Sequence, residues 1–595
     1  MVSVSVPQSR PGFEQKEMSP VSTSPQILRQ FANDVVKEAF RQRAAGNNTR
    51  FEDLRRGFAS KPSASDATSS AQLEHLLVAL TQQISLMDAG SIALVKTIVA
   101  MNWLGRSDSF VQVYTRFLGS LVSSHAEYST LIIRMLVQHL ALVHQSIGRL
   151  PNHRIVDRDQ IYSRVHAAMC SVLDLVPFAR ENLVPIIVSE FPHKSEKVLA
   201  QTTYVENVLQ ITRYVPSIEG AILGVIIDKI ISIDVEIQVD LEDLESEEGE
   251  DVTDGADLGN DEDVSGSEDH NVGEEYDDDE IVMEDVEAPS MTVQVINENI
   301  RKLDSVITIL MEHLNRTFRD LPVFPARSSP NTRFAIAETT FESLLRALDH
   351  TILKTYQSKY TQFILFWAAQ THRDFTDQFL GVILERALDH SRPSTHRMIA
   401  ASYIGSFTAR ASTLDRAIVR TLTTMLAGWV NGFLDAKEGD QSNARDAVKK
   451  YGVFYAMIQA LFYIFCFRWR ELVGVKDSDS NEPLSAGVSW LPGLQRTIER
   501  AIYHRTINPL KYCNSTIITQ FAKVSHHLDF VFCGTIIESN KRTSQHGVGE
   551  IDSYFPFDPY ELRRSRHYID GVYSQWQPLT SDEGEEFEDD SDVES

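Results

Sequence analysis

Apolar residues in this chain recur, segment after segment, at the spacing of one face of an α-helix. Leu73, Leu77, Leu80 and Ile84 form one such stripe, because steps of three or four residues follow a period of about 3.6 residues per turn. Similar stripes continue to residue 233 and resume from Met291 to about residue 525. The pattern predicts an all-α protein.

One stretch alternates like a β-strand, from Ile231 to Leu241. A single strand would have no partner to pair with, so we expect this stretch to be the end of a helix that runs into the acidic residues after it. Consecutive helices of about 12–20 residues with short breaks favour antiparallel pairs stacked as an α-solenoid. A large irregular helical bundle is the alternative, since the sequence contains no strict repeat.

Two acidic tracts dominate the net charge of −27. Residues 240–287 contain 24 acidic residues and residues 581–595 contain nine, and neither tract contains Lys or Arg. The remaining 50 acidic residues are balanced by 56 basic ones, so the rest of the chain carries about +6. The first tract buries too little apolar surface to offset its ordering entropy and is expected to be disordered. It is either a solubilising spacer or an electrostatic gate over a basic surface.

Composition and periodicity divide the chain into six regions. These are a mostly flexible N-terminal region (1–70), N-terminal helical repeats (71–239), a disordered acidic loop (240–288), C-terminal helical repeats (289–550), a C-terminal docking segment with a basic patch (551–578) and an acidic tail (579–595). The N-terminus has no signal-peptide pattern. The apolar run Met457–Phe467 is too short to cross a membrane and is expected to be a core helix. We therefore expect a soluble, intracellular protein that does not bind membranes.

The sequence carries no established catalytic motif. It lacks the phosphate-binding GxxxxGK[ST] loop, the GxSxG nucleophile elbow and the HExxH zinc helix. Its four cysteines are scattered along the sequence, and we expect them to be reduced, buried thiols. We expect a binding protein with no catalytic residues, no bound metal and no cofactor.

Serines are frequent in the first helical half. Ser109, Ser123 and Ser124 fall in the densest stretch. They are either ordinary helix caps or part of a docking face that phosphorylation would block through added negative charge. Ser265 and Ser591 each precede an acidic residue at the third position, as acid-directed kinases require. We therefore take Ser123, Ser124, Ser265 and Ser591 as candidate phosphorylation sites.

The segment YFPFDPYELRRSRHY, residues 554–568, is too rich in proline for a helix and too aromatic to remain in water. We expect Phe555, Phe557 and Tyr560 to anchor it on the helical repeats. The basic patch of Arg563, Arg564 and Arg566 could serve nuclear import or contact a phosphate.

Six segments, in order over about 475 residues, resemble the RNA polymerase I-specific transcription initiation factor family. They are Asn102-Trp103-Leu104; Phe191-Pro192-His193 with Tyr204 and Asn207; Tyr214 with Pro216; Ile233-Asp234-Val235-Glu236-Ile237-Gln238; ASYIGSFTARA at 401–411; and FPFDPYELRRS at 555–565.

The resemblance implies a HEAT-repeat solenoid that binds RNA polymerase I and bridges it to promoter-bound core, or selectivity, factors on ribosomal DNA. It implies a polymerase-facing serine patch, which by position falls on Ser109, Ser123 and Ser124. It further implies regulation by phosphorylation, a homodimer when free, and a location in the nucleus and nucleolus.

Two other functions fit the residues alone. An acidic-loop solenoid could be a nuclear transport receptor or a histone chaperone, with binding of basic cargo that depends on residues 240–287. A direct DNA-binding factor is the second, but no recognition helix or zinc finger appears, so little or no sequence-specific DNA binding is expected.

Overall fold

The computed structural model describes residues 25–60, 68–247, 291–319, 321, 332–355, 358–437, 447–474, 489–543, 551 and 554–576. The candidate phosphorylation sites Ser265 and Ser591 lie outside these residues, as do the acidic tail and most of the acidic loop.

The described residues form α-helices joined by turns and short 3₁₀ segments, with no β-strand among them. The helices are α1 (Pro25–Ala44), α2 (Thr49–Ala59), α3 (Ser70–Gln82), α4 (Ile92–Val99), α5 (Asp108–Ser124), α6 (Ser129–Gln138), α7 (Arg158–Leu175), α8 (Leu183–Ser189), α9 (Val198–Ile211), α10 (Glu219–Glu247), α11 (Met291–Phe318), α12 (Thr332–His350), α13 (Phe363–Ala369), α14 (Arg373–Leu388), α15 (Ser394–Arg410), α16 (Arg416–Lys437), α17 (Ala447–Leu472), α18 (Leu494–Ile502), α19 (Ser515–His527), α20 (Gly534–Thr543) and α21 (Arg566–Ile569). The all-α prediction is confirmed.

The chain divides into two compact units, Met1–Pro192 and His193–Ser595. In the N-terminal unit, α1, α3, α5 and α7 pack in succession, while α2, α4, α6 and α8 pack in succession as a second row. Contacts between every second helix are the pattern of stacked helix pairs, so the repeat prediction holds within this unit. Polar caps begin several of these helices, including the capping box of Ser69 and Gln72 at α3 and the Asp157 cap of α7.

Part of the region expected to be mostly flexible, residues 1–70, is helical where the structure describes it. Helices α1 and α2 occupy most of residues 25–60 and pack against each other. Val36 and Phe40 of α1 and Phe51 and Phe58 of α2 are buried, and the Phe40 and Phe51 rings meet edge to face at 5.6 Å. These widely spaced aromatic residues make a narrow apolar stripe among many charges, which is why average composition understated the helices.

In the C-terminal unit, α17 is the central helix and packs against α15, α16 and α19. It contains the predicted core run: Met457 to Cys466 is buried and Phe467 is half-buried. Residues Lys449–Leu472 are long and apolar enough to span a membrane by length and composition, but 83% of the most apolar window is buried inside the protein. Burial within the helical repeats accounts for its apolar character.

The β-like stretch lies inside α10, as expected for a helix. Ile231, Ile233 and Ile237 are buried, so the branched side chains are held by packing. Helix α10 continues to Glu247 and thus includes the first residues of the region expected to be a disordered loop from residue 240.

Candidate docking surfaces

Helix α5 carries the predicted serine patch and is firmly held in the N-terminal unit. Its N-cap is Ser107, whose hydroxyl accepts a hydrogen bond from the backbone N–H of Phe110. Asp108 in the first turn suits the positive end of the helix dipole and forms a 2.6 Å ion pair with Arg164. Phe110, Tyr114, Phe117, Leu118 and Leu121 form its buried face.

The Asn102-Trp103-Leu104 motif forms the turn before α5. Trp103 is fully buried and its ring stacks on Tyr114 at 5.0 Å. The Asn102 amide donates to the Ile147 carbonyl at 2.9 Å and accepts from the Gly105 N–H at 3.2 Å. This motif therefore sets the position of α5, and its own side chains are turned inward.

The three candidate serines are all exposed, but they lie at opposite ends of α5. Ser109 is in the first turn, and Ser123 and Ser124 are in the last. The two ends are about four turns, or about 21 Å, apart along the helix. At about 100° per residue these serines share one side of the helix with Gln112, Arg116 and Ser120. We call this side the α5 serine face: Ser109, Gln112, Arg116, Ser120, Ser123 and Ser124.

The α5 serine face is polar and close to neutral in charge. Arg116 is exposed, and the Ser109 hydroxyl donates to the Glu74 carboxylate at 3.3 Å. Ser129, which follows α5 in the sequence, is buried at the start of α6 and is not part of this face. Nothing in the sequence distinguished Ser129 from the exposed serines; helix packing decides which hydroxyls reach solvent.

The C-terminal docking segment (551–578), which the structure describes at 551 and 554–576, lies on the C-terminal unit. Phe557 is fully buried, with its ring 4.8 Å from Phe366 and 5.4 Å from Tyr403. Tyr560 is buried at 4.7 Å from Phe363, and half-buried Phe555 stacks on Tyr463 at 4.4 Å. The three candidate anchors therefore contact α13, α15 and α17.

The basic patch divides into different environments. The Arg564 guanidinium donates to Ser305 Oγ at 2.7 Å, and its backbone N–H donates to Asp304 at 2.7 Å. Arg563 is exposed, and Arg566 is exposed and paired with Asp570 at 3.2 Å. All three arginines are exposed, but Arg564 also takes part in the docking contact through Asp304 and Ser305.

Two buried carboxylates hold loops in place, and sequence reasoning gave neither a role. Asp304 binds the backbone of Arg564 and Ser565. Asp234, fully buried on α10, accepts hydrogen bonds from the backbone N–H groups of residues 359–361 and from the Thr361 hydroxyl. Burial raises the pKa of Asp234, and these hydrogen bonds oppose the rise. The sequence did contain a signal for Asp234, which is an aspartate inside an otherwise apolar helical run. A carboxylate buried in such a run needs hydrogen-bond partners.

Arg410 joins the docking segment to α17. Its guanidinium donates to the Tyr463 hydroxyl at 3.0 Å and pairs with Asp558 at 2.9 Å. The backbone N–H of Ser574 donates to the Arg410 carbonyl at 2.7 Å. These contacts hold the docking segment in place on the C-terminal unit. Among the residues that the structure describes, no three His, Cys, Asp or Glu side chains form a group that could hold a metal ion.

Comparison with known proteins identifies the family. The family model described as RNA polymerase I specific transcription initiation factor RRN3 matches residues 26–581. The Schizosaccharomyces pombe RNA polymerase I-specific transcription initiation factor rrn3 is 39% identical over all of this chain and 94% of its own length. The mouse RRN3 protein is 27% identical over 83% of this chain and 74% of its own length.

The fold agrees with that of a solved structure. The crystal structure of RNA polymerase I transcription initiation factor Rrn3 superposes with a TM-score of 0.70 at 22% identity, covering 92% of this chain and 98% of that one. This likeness confirms the architecture, and the family match extends over nearly the whole chain. The chain belongs to the RNA polymerase I specific transcription initiation factor RRN3 family.

Proposed function

We propose that this RNA polymerase I-specific transcription initiation factor docks RNA polymerase I through the α5 serine face and bridges the enzyme to promoter-bound core factors at ribosomal RNA genes. Its family consists of transcription factors that are not enzymes, so its mechanism is protein–protein binding. A factor of this kind acts in the nucleus, and we assign it to the nucleolus, where ribosomal RNA genes are transcribed.

The exposure of Ser109, Ser123 and Ser124 along one side of a firmly anchored helix carries this proposal. Their hydroxyls can donate and accept hydrogen bonds without the desolvation cost of a charge. The helix needs little reorganisation on binding, because its Tyr114 ring already stacks on the buried ring of Trp103.

Phosphorylation would oppose docking differently at the two ends of α5. A phosphate on Ser109 would lie beside the Glu74 carboxylate, which its hydroxyl now contacts. Phosphates on Ser123 and Ser124 would lie at the negative end of the helix dipole. Both additions place like charges together and make the face costly to desolvate in an interface. Ser265 and Ser591 remain candidate sites for acid-directed kinases.

The test is the affinity of the full chain for purified RNA polymerase I. We expect the pair Ser123→Asp and Ser124→Asp to weaken binding by at least about tenfold, and the pair with Ala to bind like the unmodified chain. Thr421→Asp with Thr424→Asp is the matched control, because both threonines are exposed on α16 and the added charge is equal. Equal affinity for the serine-Asp pair and the unmodified chain would refute the assignment of the face.

The remaining partners are tested by affinity capture from nuclear extract. We expect RNA polymerase I and promoter-bound core factors to be recovered, without the other nuclear polymerases. Histones or transport cargo in their place, lost when residues 240–287 are neutralised, would favour the chaperone or transport alternative. Free chains are proposed to form homodimers that polymerase binding excludes, which sedimentation with and without polymerase measures. DNA binding is proposed to be weak and independent of sequence.

A further inference from the structure

A groove in the C-terminal unit has no part in the function proposed above. One wall is the last part of α17, the other is an edge of α19, and the floor is the C-terminal docking segment. Two adjoining cavities, of about 350 Å³ and about 220 Å³, share Cys466, Phe467 and Trp576 as lining residues. The two cavities meet at these three residues, and we call them together the groove.

The groove combines aromatic and polar walls. Tyr463, Phe467 and Phe555 supply aromatic surface, and Asn514 and Gln520 supply hydrogen-bonding groups. Aromatic-lined grooves bind extended peptide segments in several recognition domains.

The rim of the groove is positively charged. Arg470 is exposed at the end of α17. Arg416 and Arg420 donate to the Glu471 and Val473 carbonyls at the same helix end. Lys523 is exposed on α19, on the same helical face as the lining residue Gln520.

The carboxylates near the groove do not cancel this charge. Asp558 pairs with Arg410 at 2.9 Å and Glu471 pairs with Arg468 at 3.2 Å. Asp415 caps α16, where it accepts from the backbone N–H of Ile418 at 2.8 Å. Within the described residues, Arg416, Arg420, Arg470 and Lys523 have no carboxylate partner.

A strongly acidic segment follows the groove residue Trp576 in the sequence. Trp576 is the last residue that the structure describes, and its ring lies 4.9 Å from Phe467. Residues 581–595 then supply nine acidic residues, no basic residue and one aromatic residue, Phe587. Phe587 follows Trp576 by about eleven residues, a tether of at most about 36 Å, so the groove is within easy reach.

We propose that the segment after Trp576, residues 577–595, which contains the acidic tail, is an intramolecular ligand of this groove. Its carboxylates pair with Arg470, Arg416, Arg420 and Lys523, and Phe587 occupies the aromatic cavity. A short tether raises the local concentration of the tail to roughly the millimolar range, so weak individual pairs suffice. The tail then excludes other polyanions from the groove. This inference is independent of the function proposed for α5.

Carbodiimide coupling in the full chain tests the contact, because it joins a carboxylate to an amine only when the two are in contact. Cross-linking of a mixture of isotope-labelled and unlabelled chains separates bonds within one chain from bonds between chains. We expect tail carboxylates to couple to Lys523 of the same chain in preference to Lys96, an exposed lysine on α4. Coupling should fall severalfold when salt rises from about 0.1 M to about 1 M, since screening shortens from about 10 Å to about 3 Å.

The substitution Arg470→Glu should lower coupling at Lys523, and Arg496→Glu is the matched control, since Arg496 is exposed on α18 and does not line the groove. Equal coupling at Lys523 and Lys96, or no effect of Arg470→Glu, would overturn the proposal. Coupling only between chains would also overturn it and would make the tail a ligand of a second copy.

A second measurement uses a variant of the full chain in which every acidic residue of 581–595 is replaced by Asn or Gln. The residues that form the groove are unchanged in this variant. A fluorescent peptide of residues 577–595 should bind this variant in a salt-dependent manner, and should bind the unmodified chain at least about tenfold more weakly because its own tail competes. Equal binding to both chains, or no binding to either, contradicts an intramolecular ligand. A Phe587→Ala peptide should bind more weakly than the native peptide.

Discussion

The Oδ1 atom of Asp304 on α11 accepts a 2.9 Å hydrogen bond from the backbone N–H of Ser565. The Ser565 hydroxyl also donates to the same carboxylate and lies 2.7 Å from the Tyr560 hydroxyl. Both Asp304 and Ser565 are buried. One carboxylate therefore satisfies the backbone at the turn where the docking segment crosses α11.

Replacing Asp304 by Ala should release this turn. Two backbone N–H groups and a hydroxyl would lose their acceptor, and each unsatisfied buried group costs about 1–3 kcal/mol. We expect hydrogen exchange in residues 554–576 to become much faster, with a loss of about 3 kcal/mol in the free energy of opening. Asp570→Ala removes only the exposed pair with Arg566 and should cost less than about 1 kcal/mol. Similar losses in both variants would contradict the role of Asp304.

Phe557→Ala should destabilise the C-terminal unit more than Phe555→Ala. Phe557 is fully buried among Phe363, Phe366, Tyr403 and Phe407, so truncation leaves a cavity that costs about 3–5 kcal/mol. Phe555 is half-buried, and part of its ring area is already in water, which suggests a cost of about 1–2 kcal/mol. Denaturant unfolding followed by circular dichroism measures the difference. Equal midpoints would mean that the segment is not anchored at Phe557.

The N-terminal unit should lose stability below about pH 6.5 through His139. Burial lowers the pKa of His139 below its ordinary value of 6.5, while its hydrogen bond to the Met135 carbonyl works against the shift. Between the folded and unfolded pKa values the unfolded chain binds a proton that the folded chain excludes, so stability is present above pH 6.5 and falls with pH below it. Hydrogen exchange in α6 from pH 7.5 to 5 measures the loss. The substitution His139→Gln should make the stability of the N-terminal unit less dependent on pH in this range. An unchanged pH dependence would mean that another group causes the loss.

Removal of the acidic loop should leave the helical fold nearly unchanged. Helix α10 extends to Glu247 and packs against α11, which begins at Met291. The deletion should therefore run from residue 248 to 290, with a flexible linker of about 6–8 residues in its place. Helix content and the melting temperature should stay close to those of the full chain, whereas deletion from residue 242 also removes part of α10. A large loss of helix signal with the shorter deletion would show that the loop contributes to folding.

Periodicity located most helices because it depends on local spacing, and the apolar run at 457–467 could be placed in a core for the same reason. It gave only a weak signal for α1, near Ile27 to Phe40, and none for α2, because their stripes are narrow and interrupted by charge. It also placed the start of the acidic loop inside α10. Acidic residues remain compatible with the last turns of a helix whose earlier part is packed, and composition alone does not resolve that boundary.

The sequence by itself determined the helical class, the two acidic tracts, the family and the aromatic character of the docking segment. These depend on local spacing, on charge counts and on motifs in order. Only the tertiary structure decided that Asp304 holds Ser565 and Asp234 holds Thr361, that Ser123 and Ser124 reach solvent while Ser129 does not, and that the Arg564 guanidinium binds Ser305. Partners separated by more than a hundred residues are selected by how helices stack, and that arrangement is a property of the whole packed unit.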